Sequence, residues 1–184
     1  MSSEHRLTAY DSVILIVDIQ ERLAAVMSEK DSITANTLHV IELAKLLKIP
    51  ICLTEQYPKG LGRTIPEISD AIADIKPFEK MAFSACAEEG FLESFRQYGR
   101  NKVILCGIET HICILQTCLG LIAEGYGVHV VSDCVSSRTQ TNKAVGIGLM
   151  HEAGAVITST ETVVFQMLAR AGTDEFKIMS KRIK

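Results

Sequence analysis

The segment Ser12-Val-Ile-Leu-Ile-Val-Asp18 constrains this chain more than any other: five consecutive apolar residues stop abruptly on a carboxylate. A strand with one wet face alternates apolar and polar residues. An unbroken apolar run belongs instead to a strand buried on both faces, as in a parallel sheet covered by helices. Lys102-Val-Ile-Leu-Cys-Gly107 and Val128-His-Val-Val-Ser-Asp133 read the same way, and Ile51-Cys-Leu-Thr54 and Ala155-Val-Ile157 are shorter strands. A further short strand over 75–78 carries Pro77, which confines it to an edge or an end.

Helical patterns separate these strands. Over 31–48, Val40, Leu43, Ala44 and Leu47 form one apolar stripe at i, i+3, i+4, i+7. Residues 55–66 hold two prolines and two glycines and read as a loop. Helices are predicted over 88–98, 110–124 and 139–153, the second of them nearly apolar all round and so largely buried. Gly146 and Gly148 lie inside the third; each costs about 1 kcal/mol against Ala in a helix, which calls for close packing against the sheet or a partner. Thr158-x-x-Glu161 is a capping-box pattern opening a helix to about residue 171. In the tail, Phe176, Met179 and Ile183 share a face that excludes Lys177, Lys181, Arg182 and Lys184, which predicts a docked amphipathic end. Alternating strands and helices give an α/β fold: one domain over 1–184, a three-layer α-β-α sandwich with a mostly parallel, Rossmann-like sheet of five to six strands.

Charge and composition narrow the partners. Nineteen Lys and Arg against 22 Asp and Glu give a net charge of −3, which supplies no bulk field for nucleic acid or an anionic membrane. The apolar stretch over 112–123, interrupted by Gln116 and Thr117, falls short of the roughly 18 residues of a membrane span. Met1-Ser-Ser-Glu-His-Arg6 is polar and unlike a secretory signal. Six cysteines without a C-x-x-C pair read as free thiols in a reducing compartment. The expectation is a cytoplasmic protein acting on a small molecule, with no cofactor, nucleic acid or membrane partner.

In open parallel sheets, ligands bind beyond the carboxyl ends of the strands. That rule selects Asp18; Thr54, Glu55 and Gln56; the segment Phe78-Glu-Lys80; Gly107 through Cys113; and Asp133 with Cys134, which follow the fifth strand. With Thr110 as N-cap, Cys113 is the third helical residue. The unpaired N–H groups and dipole there favour thiolate and can hold an oxyanion. Read singly, each residue also has a plain role: Cys113 as a buried core cysteine, Asp18 as a helix cap or loop anchor, Lys80 as a solvated lysine in a loop. No spacing joins the three.

Val17-Asp-Ile-Gln20, Glu79-Lys-Met-Ala-Phe-Ser84 and Gly107-Ile-Glu-Thr-His-Ile-Cys113 resemble, in order and separation, the three signature segments of the isochorismatase-like cysteine hydrolases. Ser132-Asp-Cys-Val-Ser-Ser-Arg138 resembles a later segment, and the likeness covers about residues 8–182. The resemblance implies a catalytic triad of Asp18, Lys80 and Cys113. It also implies a cis peptide between Ile108 and Glu109, an oxyanion hole from the Glu109 and Cys113 amides, and a homo-oligomer. Substrate contacts are expected from Gln20, Gln56, Tyr57, Phe83 and Thr110.

The chain departs from named members at two points. Nicotinamidases of this superfamily bind a metal through Asp-x-His and a second His after the second strand. Here that stretch is Thr54-Glu-Gln-Tyr-Pro-Lys-Gly-Leu-Gly62, with no histidine between His39 and His111, so no metal site is expected. The same loop resembles the isochorismatase domain-containing subgroup. Isochorismatases proper cleave a vinyl ether and typically lack the nucleophilic cysteine, so Cys113 argues for acyl chemistry. His111 reads as a surface or subunit-contact residue, and Asp133 and Arg138 as loop supports. The implied function is a metal-independent cysteine hydrolase of a small amide or carbamoyl substrate. An ether hydrolase and a non-catalytic binding or assembly module are the alternatives. A flavodoxin-like nucleotide binder lacks its Gly-rich loop after Val13–Asp18.

Overall fold

The apolar run ends up mid-sheet because both of its faces are covered. In the computed structural model, which describes residues 5–183, six strands run parallel: β1 (Ser12–Val17), β2 (Ile51–Gln56), β3 (Phe78–Lys80), β4 (Lys102–Ile108), β5 (Gly127–Ser136) and β6 (Val156–Thr158). Their order is β3-β2-β1-β4-β5-β6. Successive side chains of a strand point to opposite faces. Ile14 and Ile16 therefore pack with Val40, Leu43 and Val163 on one side, while Val13, Leu15 and Val17 pack with Phe91, Phe95 and Leu121 on the other. Each fully buried Val, Leu or Ile contributes about 1.5–3 kcal/mol, so this five-residue run pins the centre of the sheet.

Parallel neighbours need crossover connections, here helical. The helices are α1 (Glu21–Ala24), α2 (Lys30–Leu47), α3 (Pro58–Leu61), α4 (Pro66–Ser69), α5 (Phe91–Arg96), α6 (Leu115–Ala123), α7 (Gln140–Glu152), α8 (Thr160–Leu168) and α9 (Asp174–Arg182). Helices α2, α8 and α9 cover one face, and α5, α6 and α7 contribute to the other. The chain leaves β1 towards β2 on one side and later returns to β4 on the other, which opens a crevice at the β1/β4 carboxyl ends.

Several boundaries differ from the sequence reading. The third strand begins at Phe78, after Pro77, and ends on Lys80. Lys80 is thus a strand residue rather than a loop residue, and the strand lies at the sheet edge with Pro77 just before it. A register shift between Leu105 and Gly107 lets β5 continue to Ser136, so Asp133 and Cys134 lie within the strand. The helix expected over 110–124 opens instead as one π turn, Thr110–Ile114, before α6. Ser159, not Thr158, caps α8, its hydroxyl accepting from the Thr162 N–H at 3.3 Å. Within the loop over 55–66, β2 runs on to Gln56 and α3 forms one turn. The tail docks as expected, with Met179 fully buried and Phe176 and Ile183 packed against the core.

Gly146 and Gly148 differ in role. A Cβ on Gly146 would lie 2.9–3.0 Å from the backbone of Thr110 and His111, whereas one on Gly148 would meet nothing within 4 Å. Gly146 thus lets α7 lie directly on the π turn. Gly146→Ala should cost about 1–3 kcal/mol by forcing that contact apart, and Gly148→Ala should add up to about 1 kcal/mol of helix stability; urea denaturation measures both.

All six cysteines are free thiols. Burial pushes Cys52 and Cys118 up to about 12, and burial with the nearby Glu124 charge pushes Cys86 up to about 11, from an ordinary 9.0. The native state keeps these protons while the unfolded chain loses them near its ordinary value. The unfolded state then binds fewer protons, so stability falls as pH rises. The urea midpoint should be level below about pH 9 and decline through pH 11.

Candidate active site

Asp18 follows β1 directly and takes a left-handed backbone, φ +55°. Its N–H donates to the Thr54 carbonyl at 3.2 Å, and the Thr54 hydroxyl donates to Asp18 Oδ1 at 2.7 Å. Lys80 Nζ lies 2.7 Å from Asp18 Oδ2, with both side chains fully buried. Burying an ion pair is tolerated when further hydrogen bonds complete it. Lys80 Nζ also donates to Gln56 Oε1 at 2.7 Å and to the Ala82 and Phe83 carbonyls at 3.2 and 3.1 Å. Its three protons therefore have three hydrogen-bond acceptors, and Asp18 Oδ2 adds the opposite charge.

Strand periodicity explains who reaches this point. Thr54 and Gln56 are two apart on β2, as Phe78 and Lys80 are on β3, and so share a face. Glu55 and Glu79 point the other way, where both bind Arg63, at 2.8 and 2.7 Å. Gln20, expected to contact substrate, donates instead to the Gln56 and Gly62 carbonyls at 2.9 and 2.7 Å and accepts from the Gln56 N–H at 2.7 Å. Both amide protons are engaged, which makes it a clamp on the loop. Gln56 is similarly committed, its Nε2 donating to the Met81 carbonyl at 2.8 Å.

From the other side of the crevice comes β4. Gly107 has φ +133°, and a Cβ there would lie 2.1 Å from the Val17 carbonyl, so only glycine lets β4 run this close to the residue before Asp18. The Ile108–Glu109 peptide bond is cis. The Glu109 carbonyl accepts from the Ile112 and Ile114 N–H groups at 3.1 and 3.2 Å. Its side chain accepts from the Arg138 backbone N–H at 3.2 Å and from Nε at 3.0 Å, which fixes the turn from outside. Cys113 sits on this turn, 5% exposed, near enough to Asp18 and Lys80 for both to act on its thiol.

The thiol does not become a thiolate as a helix terminus would suggest. Burial, then the Asp18 charge, push Cys113 up to about 12, with Lys80 opposing. A full negative charge in contact outweighs the partial charge of a helix end.

The remaining predicted residues are placed variously. Thr110 is fully buried, and its hydroxyl has no hydrogen-bond partner among the described residues. His111 Nδ1 lies 3.0 Å from Ser137 Oγ, and Asp133 Oδ1 accepts from the Thr160 N–H and hydroxyl at 2.8 and 2.9 Å. Tyr57 and Phe83 are 47% and 54% exposed. Tyr57 borders a depression of about 270 Å³ beside Lys80 that also includes Lys59, Met81 and Glu88. A larger groove of about 570 Å³, lined by Cys52, Phe78, Phe91 and Tyr98, lies on the flank of β3 and includes neither Asp18 nor Cys113. Among the described residues no cluster of three or more His, Cys, Asp or Glu is placed to hold a metal ion, and no helix is long and apolar enough to cross a membrane.

Sequence reasoning placed Thr54 at the rim without seeing that it holds Asp18. It also missed the Ala82 and Phe83 carbonyls and Glu88, whose Oε2 accepts from the Met81 and Ala82 N–H groups at 2.7 and 2.8 Å. Backbone acceptors carry no side-chain signal; the short Lys80–Glu88 separation was the available hint.

Comparisons place this chain among known proteins. The isochorismatase domain family matches residues 12–162. A secreted isochorismatase effector, Isc1, of Phytophthora sojae is 42% identical over 185 residues, covering 97% of this chain and 87% of its own. Isochorismatase domain-containing protein 2 of Danio rerio is 36% identical over 182 residues, covering 98% and 91%. A solved structure described as the MAR1 ribonuclease of Caenorhabditis elegans superposes with a TM-score of 0.89 at 35% identity, covering 97% of this chain and 92% of that one. With the family model spanning residues 12–162 and relatives 36–42% identical over nearly the whole chain, the chain belongs to the isochorismatase family.

Proposed function

We propose that this protein is a metal-independent cysteine hydrolase that cleaves a small amide or carbamoyl C–N bond, with Cys113 as nucleophile, Asp18 as proton carrier and Lys80 as fixed counter-charge. The observation that carries this reading is the buried meeting of the three groups, brought from β1, β3 and the turn after β4. A structural core would not require a buried carboxylate–ammonium pair with a thiol beside it.

The steps follow from the placement. Asp18 takes the thiol proton as sulfur attacks the carbonyl carbon; with the thiol held near 12, proton loss and attack are coupled. The Glu109 and Cys113 amides receive the oxyanion, with the buried Thr110 hydroxyl available to the substrate. When the C–N bond breaks, Asp18 returns its proton to the departing nitrogen. Water then loses a proton to Asp18 and attacks the thioester, the C–S bond breaks, and the proton goes back to sulfur. Lys80 keeps its protons throughout, because its acceptors already hold them. Tyr57 and Phe83 line the approach, and Gln20 and Gln56 support the site.

The name of the C. elegans relative raises a ribonuclease reading. Against it, the chain carries −3, and Arg63, Lys80 and Arg138 at the rim are each paired with carboxylates, leaving these cations engaged rather than free for phosphates. The six free thiols favour a reducing, cytoplasmic setting. The exposed Val145 and Leu149 beside Gly148 on α7 favour a homo-oligomer, which sedimentation would detect.

Ammonia release from formamide, acetamide, benzamide and N-carbamoylglycine tests the chemistry. Cys113→Ala should lower turnover by about 1,000-fold or more; equal turnover by both proteins refutes the nucleophile. A second check uses iodoacetamide. Cys113 labelling should keep rising with pH towards about 12, and Asp18→Asn, by removing the charge that disfavours thiolate, should bring that rise to lower pH. An unmoved profile would break the Asp18–Cys113 link.

A further inference from the structure

We infer that Thr54 is a positioning residue that makes the two oxygens of Asp18 inequivalent, reserving Oδ2 to exchange the catalytic proton. This rests on the triad reading above. Thr54 is fully buried and grips Asp18 twice, its carbonyl accepting from the Asp18 N–H at 3.2 Å and its hydroxyl donating to Oδ1 at 2.7 Å. The first bond holds the left-handed backbone of Asp18, which a non-glycine residue adopts only when its surroundings fix it. The second occupies Oδ1 with a donor that cannot leave, because Thr54 is locked in β2 opposite Val17.

Oδ2 is different. It lies 2.7 Å from Lys80 Nζ, yet outside that group's hydrogen-bonding direction, and it receives no hydrogen bond from any described residue. Oδ2 thus feels the ammonium charge while its lone pair stays open. The charged and titratable groups around the carboxylate are Lys80 from β3 and Cys113 from the π turn; Thr54 from β2 is the neutral one. A proton taken up on Oδ2 leaves the Thr54 hydroxyl bond to Oδ1 in place.

The hydroxyl also spreads the carboxylate charge. Removing a donor from a carboxylate favours its protonated form. In Thr54→Val, which keeps the shape and deletes the hydroxyl, Asp18 would lose that donor and its fixed orientation.

The test compares wild type, Thr54→Val, Thr54→Ser and Asp18→Asn as full chains, on the amide of the panel that wild type turns over fastest. Thr54→Val should lower kcat by about 10- to 100-fold with KM within about threefold. The acidic limb of its kcat/KM profile should move up by about one pH unit, and Thr54→Ser should restore both. A role in folding alone would lower the melting temperature and leave the pH profile in place; that result, or a Thr54→Val protein indistinguishable from wild type, overturns the inference. Asp18→Asn separates the layers. If it is inactive while Thr54→Val is normal, the triad reading stands and the Thr54 proposal falls. If Asp18→Asn is as active as wild type, or wild type releases no ammonia from any panel member, the triad reading falls and this proposal with it.

Discussion

The buried contact between Asp18 and Lys80 organises the rest of the site. Removing two charges from water costs several kcal/mol per ion, and only good geometry with further hydrogen bonds offsets this. The structure supplies both: a hydroxyl from Thr54 on the carboxylate, and an amide oxygen and two carbonyls on the ammonium. Those requirements explain why so many neighbours are fixed. Gln56 must present its oxygen to Lys80, so Gln20 binds the Gln56 backbone on both sides. The loop after β3 must turn two carbonyls inward, so Glu88 takes the N–H groups of Met81 and Ala82 from outside.

The third group arrives by a different route. Gly107 allows β4 to pass so close to β1 that a side chain would strike the Val17 carbonyl. One residue later the chain enters the cis peptide and a π turn, which together set Cys113 beside the ion pair. Helix α7 presses on this turn at Gly146, and Arg138 ties it through Glu109. The outcome is a sulfur whose hold on its proton is raised by burial and by the Asp18 charge, with Lys80 opposing. In the proposed reading, reactivity comes from that neighbouring carboxylate more than from the helix end.

Much of this was legible in the chain. The double-faced burial of β1 followed from Val13 to Val17 having no polar interruption. The docked tail followed from the spacing of Phe176, Met179 and Ile183, whereas Pro77 lies just before β3 and not within it. The resemblance of three short segments gathered Asp18, Lys80 and Cys113 into one proposal. What failed had local causes. Period 3.6 does not distinguish a π turn from an α turn over five residues, so Cys113 was given the wrong helical position. Ser159 and Thr158 are both competent caps, and sequence alone does not say which hydroxyl faces the free N–H. Gln20 and Gln56 have side chains suited to substrate, but the Gln20 amide binds the Gln56 and Gly62 backbone and the Gln56 amide binds Lys80 Nζ and the Met81 carbonyl, partners that only folding brings near.

By itself the sequence determined the layered parallel architecture, because hydrophobic periodicity is a local property that survives without knowledge of neighbours. It also put Asp18, Thr54 and Gln56 at strand carboxyl ends, since strand ends are set by the same pattern, whereas Asp133 and Cys134 fall within β5. Tertiary structure alone decided which oxygen, nitrogen and sulfur atoms touch, which amides are consumed as supports, and which way the thiol's proton affinity moves. Those outcomes depend on distances of a few ångströms between segments dozens of residues apart, and on burial, which no single segment controls.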